Sequence, residues 1–411
     1  MSAFEIPPLQ IDPGSLPPPL QTSDPRSFAR ETFETRVPLI IQDALAVNAF
    51  PTEIRAALED LHAEITSGVI RALRETTPDR TFWDRAFRPH AGRTWFDVPW
   101  FWAEAFFYRR LLEATGYFGP GPWRGVDPFE KKKREELQPH AAPQLMEKTL
   151  CSLPADRCDR FQFLVHASLW GNRIDLSYPQ VSEMGRTAGL RGETANVLVD
   201  DSRQVWDYLD SHRCRRVMIL ADNAGTELLT DLALSDFLLT EGCATQVTLQ
   251  LKPQPFFVSD AMPSDVDAAL TALTPGSQTA RCLAHRIREH LTAARLRVRT
   301  HWLFTTNLFY FQLPDDLRKE IAASDFVIAK GDANYRRLLG DAHWPPTSDF
   351  HRVTAYFPAP FVTLRTLKSE LIVGLRPGEA ERLAAQDPKW LINGRRAVVQ
   401  ARCERGPFLN S

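Results

Sequence analysis

Along the chain the spacing of hydrophobic positions changes character twice. Through residue 26 apolar residues are scattered among prolines, and seven of the first 25 residues are proline. Proline fixes φ and lacks the backbone donor, so the pattern predicts an extended, irregular leader over 1–26. From Ser27 apolar positions recur at helical intervals, as in Phe33, Val37, Ile40 and Ile41, then Ile54, Ala57, Leu58 and Leu61. This predicts an all-helical region over 27–145. Within it, Trp95 to Leu112 is densely aromatic and Pro99 suits the first turn of a helix. Such density predicts core or an interface between domains rather than a sugar-stacking platform. Glu104 is a carboxylate inside that run; buried, it would need a partner, which makes it a candidate site residue. The block Glu130 to Glu136 alternates in sign and predicts a solvated helix face rather than a nucleic-acid contact.

Over 146–411 the texture becomes short β-rich runs, each followed by a polar loop and a helical stretch. Arg216–Ala221 leads to Asp222-Asn223-Ala-Gly-Thr-Glu227, and Ala244–Leu251 leads to Lys252 and the apolar run Phe256–Asp260. Asp325–Lys330 leads to Gly331-Asp332-Ala-Asn334, and Phe361–Leu375 predicts one strand or two short ones. The run His301–Phe311 fits either helix or strand. Alternating strands and helices predict an α/β fold: a three-layer α/β/α, Rossmann-like sandwich with a mostly parallel sheet, joined to the N-terminal all-helical domain.

Composition narrows the class. The 411 residues are 44% hydrophobic, enough for a sizeable core, and Lys plus Arg (49) nearly balances Asp plus Glu (51), which argues against a nucleic-acid-binding surface. Six cysteines without a Cys-x-x-Cys pair read as a reduced, cytoplasmic chain. No apolar stretch reaches the roughly 18 residues of a membrane span, and the N-terminus lacks a signal-peptide pattern. Oligomeric state is not legible.

Ligands of open α/β sheets bind beyond the carboxyl ends of the strands. That rule selects Asp222 and Asn223, Asp260, and Asp332 with Asn334. Singly, each would be a turn former or helix cap. Together they offer oxygen-only ligands to a hard cation, Mg²⁺ or Mn²⁺ rather than zinc. Lys330, Arg336, Arg365 and Lys368 bring positive charge to the same edge. A cation with lysine and arginine matches a phosphate ester. Phosphate-loop, Gly-x-Gly-x-x-Gly, Gly-x-Ser-x-Gly and His-Glu-x-x-His motifs are absent from the sequence, and Asp265-Val-Asp267 reads as the acidic first turn of a helix.

At these residues the chain resembles the damage-control phosphatase family, in the branch related to acidic-residue methyltransferase 1. The resemblance is carried by Leu169-Trp-Gly-Asn-Arg-Ile-Asp-Leu-Ser177, Asp222–Leu232, Phe257-Val-Ser-Asp260, Lys330-Gly-Asp-Ala-Asn-Tyr-Arg-Arg-Leu338 and the Arg365-Thr-Leu-Lys368 signature. It implies a metal-dependent phosphatase of small sugar phosphates or related metabolites. Asp222, Asn223 and Asp260 would hold Mn²⁺ or Mg²⁺ (Co²⁺ or Ni²⁺ also serving), with Asp222 and Asp260 catalytic. Asp332 to Arg336, including Tyr335, would form the substrate loop, Lys368 would hold the phosphate, and Asn172 and Asp175 would line the pocket. Ile174 and Ala333 depart from residues common in the family. The attacking group is either water assisted by one aspartate, or an aspartate itself through a transient phospho-enzyme. Two rivals are an S-adenosylmethionine-dependent carboxyl methyltransferase, with Asp222, Glu227 and Asp260 in its site, and a non-catalytic sugar-phosphate sensor.

Overall fold

A computed structural model describes residues 6–138, 140–171, 196–212 and 214–405. Seven strands form one mixed sheet: β1 (Val197–Asp200), β2 (Arg216–Leu220), β3 (Gln246–Leu251), β4 (Leu296–Thr300), β5 (Phe326–Lys330), β6 (Phe361–Thr366) and β7 (Ala397–Arg402). Their order is β1-β7-β6-β5-β2-β3-β4. The five strands from β6 to β4 are parallel, while β7 runs antiparallel to β6 and carries β1 with it. Because β2 has β3 on one side and β5 on the other, the chain reverses direction across the sheet at the β2/β5 boundary. That is where an open α/β sheet leaves a crevice.

Alternation along the strands divides the core. Val217 and Ile219 of β2, with Phe326 and Ile328 of β5, face one layer of helices that includes Arg157–Trp170, Ser202–His212 and Gly225–Thr240. Met218, Leu220, Val327 and Ala329 face the other way. There they join a continuous apolar core with Phe33, Ile41, Leu58 and Phe106 of the N-terminal helices. Strands buried on both faces read as unbroken apolar runs, which is why β2 and β5 are plain in the sequence.

Helix Trp100–Ala114 is the axis of the N-terminal region, and every residue from Trp100 to Leu112 is buried. The three charges within that buried stretch all have partners. Arg109 meets Asp79 at 2.7 Å, Arg110 meets Glu64 at 3.0 Å, and Glu104 meets Arg336 at 2.6 Å. Glu64 also accepts from Trp95 Nε1 and from the backbone and side chain of Arg71. Burial raises its carboxyl, and the bonds and charge of Arg110 and Arg71 more than offset this, leaving it below the usual carboxylate range. Glu64→Ala would strand the Arg110 guanidinium in the core. The expected loss is about 3–5 kcal/mol of unfolding free energy, read by urea denaturation.

Two expectations are corrected here. The charged block forms helix Glu130–Glu135, but Lys133 is buried rather than solvated, bridging Asp127 at 2.9 Å and Asp265 at 3.1 Å. His301–Phe311 is neither helix nor strand: it holds two 3₁₀ turns, with the carbonyls of Phe304, Thr306 and Leu308 tied to the Arg337 guanidinium. The apolar run Phe256–Asp260 forms a turn, with Phe257 (φ 43°) and Val258 (φ 66°) left-handed. As expected, Asp265 lies in the first turn of a helix, Pro263–Ala272, and accepts from the Met262 amide at 2.8 Å.

The leader lies along the body. Gln10 N donates to Phe311 O, Leu20 N to Asp341 O, His343 N to Pro18 O, and Trp100 N to Leu20 O. The Thr22 hydroxyl bonds both the carbonyl and the amide of Val98. No described helix is long and apolar enough to cross a membrane.

Candidate active site

The carboxyl tips of β2 and β5 and the turn after β3 meet at the crevice. Asn223 and Asp260 face each other in an isolated antiparallel bridge. Flanking bonds reinforce it: Ala224 N donates to Ser259 O at 2.7 Å and Ala261 N to Asp222 O at 2.8 Å. The backbone thus brings together the three proposed ligand residues, which come from segments nearly 40 positions apart.

Asp222 and Asp260 are both buried. Burial, then the charges of Glu227 and Asp260, push the Asp222 carboxyl up to about 8, against the pull of Lys252 and Lys368. Asp260 is likewise raised by burial, and Lys252 only partly offsets this. Lys252 Nζ, which donates to Ala221 O, lies 3.1 Å from Asp260 Oδ2. That buried oxygen accepts no further hydrogen bond among the described residues. Two buried carboxylates that repel each other, one with an oxygen met only by a lysine ammonium, beside an amide oxygen form a donor set suited to a hard divalent cation. Another acid cluster, Asp156 with Cys158 and Asp159, is of a different kind. There Asp156 Oδ1 accepts from the amides of Cys158 and Asp159, which makes it an ordinary helix cap.

Gly331 is shaped around Asp222. Its φ is +85°, and a Cβ there would lie 2.0 Å from Asp222 Oδ2 and 2.2 Å from Cγ. Only glycine lets the start of helix Gly331–Leu339 approach that carboxylate so closely.

Most motif cations turn out to be committed to the protein itself. Lys330, expected as a phosphate clamp, is buried and donates to Ser168 O, Glu227 Oε1 and Asp231 Oδ1 at 2.8–2.9 Å. An ammonium has three donors, and all are used. Arg336 is corrected in the same way. It forms a two-pronged pair with Asp341 (2.7 and 3.0 Å), donates to Glu104 at 2.6 Å, and stacks 3.7 Å over Trp100. Arg365 is wholly buried, bonded to Asp332, to the Leu371 and Ser369 carbonyls and to Ser369 Oγ, and stacked on Tyr335.

The remaining loop residues also hold structure. Asn334 donates to Leu220 O and Lys330 O and accepts from Tyr310, lacing the β2 tip to the β5 tip. Tyr335 donates to Gln400. Asp332 Oδ1 accepts from Arg365, from the Lys368 amide and from Ser369 Oγ. Burial alone would raise its carboxyl, but Arg365, Arg336 and these bonds hold it below the usual range. Glu227 takes hydrogen bonds from Lys330 and Asn223.

Lys368 is different. It is exposed, and its ammonium makes no hydrogen bond among the described residues. Its charge is felt by both Asp222 and Glu227. The Arg-Thr-x-Lys signature therefore divides its labour, with Arg365 bracing the loop and Lys368 presented by it. Asn172 and Asp175 lie outside the described residues. Sequence reasoning missed Lys252, a lone lysine at the end of β3, and Ser259, whose hydroxyl meets Asn223 at 2.6 Å.

Several known proteins are similar to this chain. Residues 32–383 match the model of the damage-control phosphatase ARMT1-like domain. Damage-control phosphatase ARMT1 of Danio rerio is 33% identical over 336 residues, covering 75% of this chain and 74% of the relative. The Mus musculus protein of the same name is 32% identical over 329 residues, 74% of each chain. A crystal structure of a DUF89 family protein from Pyrococcus horikoshii is similar at TM-score 0.49 and 14% identity, covering 91% of this chain and 97% of that one. The chain thus belongs to the ARMT1-like damage-control phosphatase family, whose members are metal-dependent phosphatases.

Proposed function

We propose that this phosphatase hydrolyses phosphate monoesters of small sugars or related metabolites in the cytoplasm. Asp222, Asn223 and Asp260 would hold one divalent cation, Mn²⁺ or Mg²⁺, with Co²⁺ and Ni²⁺ also fitting an oxygen donor set. The observation that carries this reading is the pairing of a buried acid cluster with one exposed lysine, Lys368, whose charge acts on it. Six free cysteines suit a reducing compartment.

Once bound, the cation would neutralise phosphate oxygens and polarise phosphorus. The chain's own residues do the rest. Lys368 binds an anionic oxygen of the ester and is kept in place because Asp332 grips its backbone amide. Lys330 and the Asn223 amide hold Glu227 ionised, so that its carboxylate accepts from Asn223. Buried Phe101 and Tyr108, packed against the turn that carries Asp260, keep bulk water from that side.

A panel of sugar phosphates assayed with Mn²⁺, Mg²⁺, Co²⁺ and Ni²⁺ tests this. Phosphate release that depends on a cation supports it; release undiminished after chelation, or methyl transfer from S-adenosylmethionine alone, overturns it. Lys368→Ala is expected to raise KM about 10–100-fold, the worth of one charge-assisted hydrogen bond, while stability changes little because the side chain is exposed. An unchanged KM would remove Lys368 from the phosphate site.

A further inference from the structure

We infer that Ser259 is a positioning residue that holds the Asn223 amide oxygen in place for the cation. This rests on the cation reading above and goes beyond it in assigning a role to a residue outside the ligand set.

The hydrogen bonds around Asn223 admit one orientation. Its Nδ2 donates to Asp222 Oδ2 at 2.9 Å and to Glu227 Oε2 at 2.9 Å, which uses both N–H groups. Its Oδ1 accepts from Ser259 Oγ at 2.6 Å. Turned over, the amide would press its oxygen against two carboxylates, so Asp222 and Glu227 set its orientation, and the Ser259 hydroxyl then donates to the oxygen they turn toward it. One lone pair of Oδ1 goes to Ser259, and the other stays open to a cation. The Ser259 hydroxyl is thus the group that holds the amide oxygen in place.

Its own position is set by strain. Phe257 and Val258 precede it in the left-handed region, which a β-branched valine rarely enters. Such backbone persists only where surroundings over-determine it. Here Phe257 packs on Phe256, Tyr108 and Phe101, with ring centroids 4.5, 5.2 and 6.3 Å away. Ser259 N then closes onto Phe257 O at 2.8 Å, while Ser259 O accepts from Ala224 N. The buried aromatic helix of the N-terminal region therefore fixes the hydroxyl that holds a ligand in place.

Outer-shell hydrogen bonds of this kind tune metal affinity by about 10–100-fold. The test is Mn²⁺ titration of the full-length chain, with free Mn²⁺ read by electron paramagnetic resonance and metal-free melting temperatures measured alongside. Ser259→Ala is expected to weaken Mn²⁺ binding about 10–100-fold, and Ser259→Thr, which keeps the hydroxyl, to stay within about threefold of wild type. Ser259→Cys, similar in size but a weak donor, should fall with alanine and serves if the alanine variant folds poorly. If the alanine and cysteine variants bind Mn²⁺ like wild type, or melt lower with unchanged affinity, the role is merely structural and the inference falls alone. Wild type that binds no Mn²⁺ overturns the cation reading, and this inference with it.

Discussion

Asp260→Ala is expected to lower kcat/KM by at least about 10³-fold, since a cation supplies several kcal/mol of transition-state charge stabilisation and each 1.4 kcal/mol is about tenfold. The substitution removes a buried carboxylate that has an oxygen met only by a lysine ammonium and that faces Asn223 across the bridge between the β2 and β3 tips. It also releases Lys252 from its ion pair at 3.1 Å. Loss of activity should be matched by loss of Mn²⁺ binding in the same titration. A variant that retained both would show that the acid cluster is not the reaction centre. Asp260→Asn is the sharper companion, because it keeps the volume and removes the charge.

Gly331→Ala carries the second large effect, although glycine contributes no chemistry. The added methyl would fall 2.0 Å from Asp222 Oδ2, and φ at +85° is strained for any L side chain. Either the carboxylate moves or the helix start does. Both separate the β2 tip from the β5 tip across the crevice. The expected result is a kcat/KM at least about 100-fold below wild type, the order reported for a roughly 1 Å displacement of reacting groups. Melting temperature should fall by only a few degrees, since the strain is worth about 1–3 kcal/mol. Activity near wild type would mean that Asp222 tolerates displacement and is not a ligand.

How much of this was legible in the sequence depended on whether neighbours in the chain are neighbours in space. β2 and β5 announce themselves because both faces are buried and their runs are unbroken. β4 (Leu-Arg-Val-Arg-Thr) is an edge strand with exposed arginines and reads as polar. β7 is fully buried yet includes Gln400 and Arg402, each of which bonds to backbone carbonyls that only the fold brings near. The acidic tips were readable because strand ends carry ligands as a rule. The roles of the cations were not. Arg336 finds Glu104 from 232 positions away, and Lys330 finds Ser168 from 162. Sequence alone cannot distinguish an arginine facing a ligand from one facing a buried acid. Accordingly, Lys330, Arg336 and Arg365 are all braces, and of these four motif cations only Lys368 is exposed.

The leader changes how the unfolding of the chain should be pictured. Leu20 is joined through its amide to Asp341 in the α/β body and through its carbonyl to Trp100 at the head of the aromatic helix. Asp341 in turn grips Arg336 and the Phe101 amide. A hinged swing of the N-terminal region away from the sheet would have to unzip this seam, break the Glu104–Arg336 and Lys133–Asp265 pairs, and split a shared apolar core. Such a swing would break all of these contacts at once, so the N-terminal region and the sheet are expected to unfold together in one cooperative transition, read by denaturant titration.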